Sequence, residues 1–173
     1  MTKLYFRPST TSGVTASIRR TGLLGLELSS DVEVAASRQR IWDVLTDLSA
    51  YGQWNNAIPV ARGALVEGGV LDVEIAWPGL KRSPYKLNLL TVAPGQELRW
   101  LGQFGIRGLM DGDHRFTLTG PAEGPVRVTQ SERFSGLLVP VFAPWLQNNV
   151  LAGFVDMNAA LRRRAERVEP AAK

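Results

Sequence analysis

The chain has 173 residues, 45% of them apolar and 21% charged, with a formal net charge of +4. That is the size and make-up of one soluble domain, and no run approaches the ~20 apolar residues of a membrane span. The absence of cysteine excludes disulfides, thiolate zinc sites, iron–sulfur clusters and thiol nucleophiles, and the single histidine, His114, excludes a metal centre built from several histidines.

Residues 1–22 lack the apolar core of about 7–15 residues that defines an export signal. Ser, Thr, Gly and Arg dominate there, so residues 1–24 read as an extended or disordered arm. It could dock through Leu4, Tyr5 and Phe6, and the expected compartment is the cytoplasm. Much of the basic excess sits at the two ends, at Arg7, Arg19 and Arg20 and again at Arg162, Arg163, Arg164 and Arg167. Basic residues that bind nucleic acid are more often interleaved with aromatics, so no nucleic-acid partner is expected. The C-terminal cluster suits the last turn of a helix, where cations complement the dipole.

Leu26 to Val34 alternates and predicts a first strand. Ser37 then offers an N-cap, and Ile41, Trp42, Val44, Leu45 and Leu48 follow at helical spacing, predicting a helix from about Ser37 to Leu48. Ala50 to Ala57 reads as a second short helix or turn, ended before Pro59.

Beyond Pro59 the period becomes two. Val60–Val66, Val70–Trp77, Tyr85–Val92, Glu97–Phe104, Leu109–Thr119 and Val126–Ser135 read as strands. They are separated by hairpin-length turns at Gly68-Gly69, Pro78-Gly79 and Pro94-Gly95, which is the pattern of an antiparallel meander. Leu146, Val150, Phe154, Met157 and Leu161 then form one face of a long helix, expected to start near Ala143 with Pro144 in its first turn. The segments add up to an α+β domain over residues 25–169 with a short tail, 170–173. Its core is a curved seven-stranded antiparallel sheet wrapped around the C-terminal helix, with two short helices between strands 1 and 2. A helix of ~25 residues spans about 37 Å, enough to lie across such a sheet and leave a pocket beneath.

The last two strands hold the chemistry. One face of the first carries Met110, Gly112, His114, Phe116 and Leu118, and the opposite face is wholly polar. In its partner, Gln130 and Glu132 share a face with Val126, Val128 and Phe134. The hairpin therefore sets His114 opposite Gln130 or Glu132, about 5 Å away, inside an apolar layer. A buried carboxylate must be paired, hydrated or protonated. Three readings stand: a structural His114–Glu132 pair, a polar anchor for a bound molecule, or an acid/base dyad. Trp54, Trp77, Trp100, Phe104, Phe116, Phe134 and Phe154 supply aromatic walls for a small-molecule site. The Gly68-Gly69 pair lacks phosphate-loop spacing, and neither G-x-S-x-G nor H-E-x-x-H occurs.

The stretch VEVAASRQRIWDVLTDLSAYGQWNNAI (Val32 to Ile58), with Ile41, Trp42, Leu45, Asp47, Tyr51, Trp54 and Asn55, resembles the opening of the START-like superfamily. That group is also called SRPBCC or polyketide cyclase/dehydrase. Gly108 to Leu138 resembles its last two strands, and the likeness spans about residues 26–168. The resemblance implies a helix-grip fold with a cavity between sheet and C-terminal helix. Known members include cyclases, lipid and sterol carriers, hormone receptors and co-chaperone activators, so the resemblance names no reaction.

The expected function is to bind a small hydrophobic molecule, aromatic or polyketide- or isoprenoid-like, in that cavity. Its walls would be Trp54, Trp77, Trp100, Phe104, Phe116, Phe134 and Phe154, and its polar end would meet His114, Gln130 and Glu132. One alternative is a cyclase or dehydratase with His114 and Glu132 as catalytic acid/base. Another is a protein-interaction module using the basic ends. No metal and no cofactor are expected, and the chain is read as a monomer or homodimer.

Overall fold

The two-residue alternation closes into a single antiparallel sheet of eight strands, ordered β1-β2-β8-β7-β6-β5-β4-β3. It is seen in a computed structural model that describes residues 13–77 and 80–167. The strands are β1 (Val14–Gly22), β2 (Gly25–Val34), β3 (Val60–Arg62), β4 (Val70–Ile75), β5 (Ser83–Ala93), β6 (Glu97–Gln103), β7 (Asp111–Thr119) and β8 (Val126–Ser135). Between β2 and β3 lie α1 (Arg38–Thr46), a tight turn at Leu48–Ala50, and α2 (Tyr51–Trp54). After β8 come α3 (Val139–Trp145), a wide turn at Leu146–Val150, and α4 (Leu151–Ala165), which run on as one long helix.

The expected sheet has seven strands, and the eighth is β1. It comes from the segment read as an extended or disordered arm, and it pairs with β2 from Val14↔Val32 to Gly22↔Gly25. Its inward side chains are small or few: Val14 is buried, while Ala16 and Ile18 only pack against the core margin. Ser, Thr and Arg between them hide the alternation. Residues 1–12, the Pro78-Gly79 turn and the tail 170–173 lie outside the described residues.

Two more expectations need correction. The strand expected over Val60–Val66 keeps only Val60–Arg62, because the chain turns at Gly63, whose φ of 137° suits glycine. The long helix starts at Val139, not near Ala143, so Pro140 occupies the first turn and Pro144 falls inside. A proline there removes a backbone donor and crowds the preceding turn. The wide turn at Leu146–Val150 follows at once, and the Leu146 N–H is shared between the carbonyls of Ala143 and Phe142.

The start of α1 follows its sequence signal: Ser37 is the N-cap and accepts from the Arg40 N–H at 3.2 Å. α1 buries Ile41, Trp42, Val44 and Leu45. Tyr51 of α2 is fully interred and donates its hydroxyl to the Leu45 carbonyl at 2.7 Å; burial pushes its ionisation far up.

The long helix is tied down at both ends. The Asn158 amide donates to the backbone carbonyl and hydroxyl of Ser30, each at 3.0 Å, and Glu166 accepts from the Ala35 N–H at 2.8 Å. At the other end the Leu138 N–H donates to the Leu109 carbonyl at 2.9 Å. Gly136, at φ 133°, lies so near the Gly108 and Leu109 carbonyls that no Cβ would fit. Among the described residues, no helix is long and apolar enough to cross a membrane.

Candidate functional site

Strands β4–β8 and the long helix together line a cavity of about 530 Å³. α3, the wide turn and the first half of α4 roof it with Phe142, Trp145, Leu146, Val150, Phe154 and Met157. The sheet contributes Trp100, Met110, Phe134 and the polar trio His114, Gln130 and Glu132. This size falls within the range of small-molecule pockets, which combine apolar walls with a few placed polar groups.

The hairpin register settles the pairing left open in the sequence: His114 faces Glu132, and Phe116 faces Gln130. His114 Nδ1 lies 3.3 Å from Glu132 Oε2, and its Nε2 lies 3.3 Å from Gln130 Nε2. The Gln130 amide also donates to the Met157 sulfur at 3.5 Å. On the neighbouring strand Trp100 faces His114, and the two rings stack with centroids 4.5 Å apart and planes 2° from parallel. Phe154 meets the imidazole edge-on at 5.1 Å, and Phe116 packs tilted at 5.1 Å. His114 is thus boxed by three aromatic rings and is only 5% exposed.

Gly112 makes room for the carboxylate. A Cβ built there would overlap Glu132 Oε1 and lie 3.2 Å from its Cδ. Beside the site, on the solvent face, Arg99 grips Asp113 through Nε–Oδ1 at 2.8 Å and Nη2–Oδ2 at 2.6 Å. That bond holds the Asp113 carboxyl below the ordinary carboxylate range, with burial opposing. Tyr85 lines the cavity; burial raises its ionisation, and a hydrogen bond with Trp77 works the other way.

Of the ten residues expected at the site, eight line the cavity: Trp77, Trp100, Phe104, His114, Gln130, Glu132, Phe134 and Phe154. Trp54 does not; it sits in the core against Tyr51, centroids 5.2 Å apart. Phe116 does not either, being fully buried behind His114. Sequence reasoning missed Met110, Tyr85, Trp145 and Met157 as wall residues. Trp145 stacks edge-on with Trp77 at 5.4 Å, and Met157 already lay on the helix face that points inward. Among the described residues, no cluster of His, Cys, Asp and Glu could hold a metal ion.

A family model described as "Polyketide cyclase / dehydrase and lipid transport" matches residues 26–169. The di-domain ARO/CYC StfQ from the steffimycin biosynthetic pathway superposes with a TM-score of 0.68 at 12% identity, over 83% of this chain and 52% of that one. The chain thus spans about half the length of that protein. The Zhui aromatase/cyclase from Streptomyces sp. R1128 gives a TM-score of 0.68 at 14% identity, covering 85% of this chain and 98% of that one. A START superfamily protein from Mycobacterium smegmatis gives 0.64 at 24% identity, covering 81% and 97%. At such identities the likeness is one of fold. No curated protein matches the chain.

Proposed function

Because the chain belongs to the polyketide cyclase/dehydrase and lipid-transport family, a START-like group, we propose that its cavity binds a small hydrophobic molecule. An aromatic, polyketide- or isoprenoid-like body would lie between the sheet and the long helix, against Trp77, Trp100, Phe134 and Phe154, with its polar end against Gln130 and Glu132. The unit that does this is residues 25–169, acting as a monomer or homodimer without cofactor or nucleic acid. The observation carrying the reading is the 530 Å³ cavity with one polar cluster at its inner wall.

A catalytic reading draws on the same His114–Glu132 contact. A general base needs a free lone pair within reach of the substrate proton. Here each imidazole nitrogen already faces a protein partner at 3.3 Å, and the ring faces are packed by aromatics. That favours binding over chemistry. His114→Ala separates the two readings: under the binding account affinity falls by less than tenfold, whereas a cyclase would lose turnover entirely.

Native mass spectrometry of the purified full chain, before and after exposure to 2-naphthol, tests the proposal. A single adduct, co-purified or acquired, is expected. A spectrum showing only the bare chain at saturating naphthol would overturn it.

A further inference from the structure

Aliphatic side chains stand in water at one end of the sheet. Leu23 is 90% exposed, Ile106 74%, Val141 72% and Leu137 66%, and Leu24 is exposed beside Leu23. Single exposed aliphatics are ordinary, but a contiguous group marks an interaction surface. These belong to three loops: the β1–β2 turn, the β6–β7 loop and the entry to α3. Backbone hydrogen bonds join the three. The Gly136 N–H donates to the Leu24 carbonyl at 3.1 Å, and the Leu137 N–H donates to the Gly108 carbonyl at 3.2 Å. The tips are thus held side by side. Leu23 and Leu24 precede the residues matched by the family model. The cavity reaches the surface at the same end, where Phe104 and Phe142 line it and are also exposed.

The charge around these tips is positive. Arg20, Arg107 and Arg133 are exposed here, and Lys81 is exposed at the cavity margin. The neighbouring acids are engaged: Glu27 pairs with Arg19, Asp113 with Arg99, and Asp111 accepts from the Gly108 N–H at 2.9 Å. A second copy meeting this face about a two-fold axis would set arginines against arginines. The most exposed side chains are loop tips that project, where a peptide or helix partner would need a groove. Projecting aliphatic tips within a cationic rim fit the headgroup boundary of an anionic bilayer. There apolar side chains enter the acyl region and cations stay with the headgroups.

We propose that this end of the molecule docks on an anionic lipid surface. Leu23, Ile106, Leu137 and Val141 enter the bilayer, and the mouth of the cavity is turned toward it. This goes beyond the ligand-binding reading and stands or falls separately from it.

The test is flotation of the full chain with vesicles of phosphatidylglycerol and phosphatidylcholine in equal parts, against phosphatidylcholine alone. Binding to the anionic vesicles is expected, about tenfold or more above the neutral ones, and weakening as salt is raised. Combining Leu23→Ser, Ile106→Ser and Val141→Ser should lower the partition about tenfold or more with little change in Tm, since the side chains are already in water. Arg107→Gln should lower it about fivefold. No binding to anionic vesicles would overturn the proposal, and equal binding by the triple variant would overturn the assigned face. Self-association abolished by the triple variant, with no vesicle binding by either protein, would give the face to a second copy instead. Naphthol binding, measured without vesicles, reads the cavity independently of all these outcomes.

Discussion

Gly112→Ala is the sharpest perturbation of the polar cluster, because it touches the cluster without removing any of its members. The new Cβ would overlap Glu132 Oε1 and lie 3.2 Å from its Cδ and 3.4 Å from Phe134 Cε1. Ordinary carbon contacts are about 3.5–4.0 Å, so the carboxylate must swing aside. Its bond to His114 is 3.3 Å long and has no slack to absorb the shift. Losing a charge-assisted bond costs about 1.5–3 kcal/mol. Replacing glycine where the backbone permits alanine returns about 0.4–1 kcal/mol through the unfolded chain. The balance is a loss of about 1–2 kcal/mol, or roughly 2–8 °C in Tm for a domain of this size. In a Glu132→Ala background the same methyl keeps only its contact with Phe134 Cε1 at 3.4 Å, so the change should be neutral or mildly stabilising. Thermal denaturation of the four proteins in this double-mutant cycle measures the coupling. Equal effects of Gly112→Ala in both backgrounds would refute the reasoning.

Two further predictions use the same strands. As the chain has one histidine, nitrogen NMR near pH 9 reports on His114 alone; with the Gln130 amide nitrogen facing Nε2 and Glu132 facing Nδ1, the Nδ1–H form is expected, and finding the hydrogen on Nε2 would contradict those two contacts. Asp113 is held below the ordinary carboxylate range by Arg99, so the pair stabilises the fold above pH ~4 and the contribution fades as pH falls through the lowered value. Asp113→Asn should therefore destabilise at neutral pH yet flatten the acid limb of a stability–pH curve, and an unchanged acid limb would count against the pair.

Much of this was legible in the residues. Period-two alternation placed His114, Gln130 and Glu132 on the inward face, because one face of each strand is wholly polar and must meet water. Register stayed open between two partners until the turn Gly120–Pro125 fixed His114 opposite Glu132. The missing strand, β1, shows the limit: Val14, Ala16 and Ile18 alternate, but three apolar residues among Thr, Ser and Arg make a short signal, and pairing with β2 decides the matter. Trp54 and Phe116 mark another limit, since facing inward separates core from solvent but not core from cavity. The pocket itself is built from five strands and the long helix, so it depends on where the helix crosses the sheet, which no single strand's pattern encodes. Pro144 misled for a related reason, as the adjoining wide turn absorbs a proline that an isolated helix would place at its start.

The most direct measurement of ligand binding at the polar end follows the carbon-bound ring protons of His114 during a titration with 2-naphthol. An aromatic ligand seated against Gln130 and Glu132 must shift these signals, and the account predicts saturable movement as naphthol is added. Signals that stay fixed while naphthol binds elsewhere on the chain would contradict it.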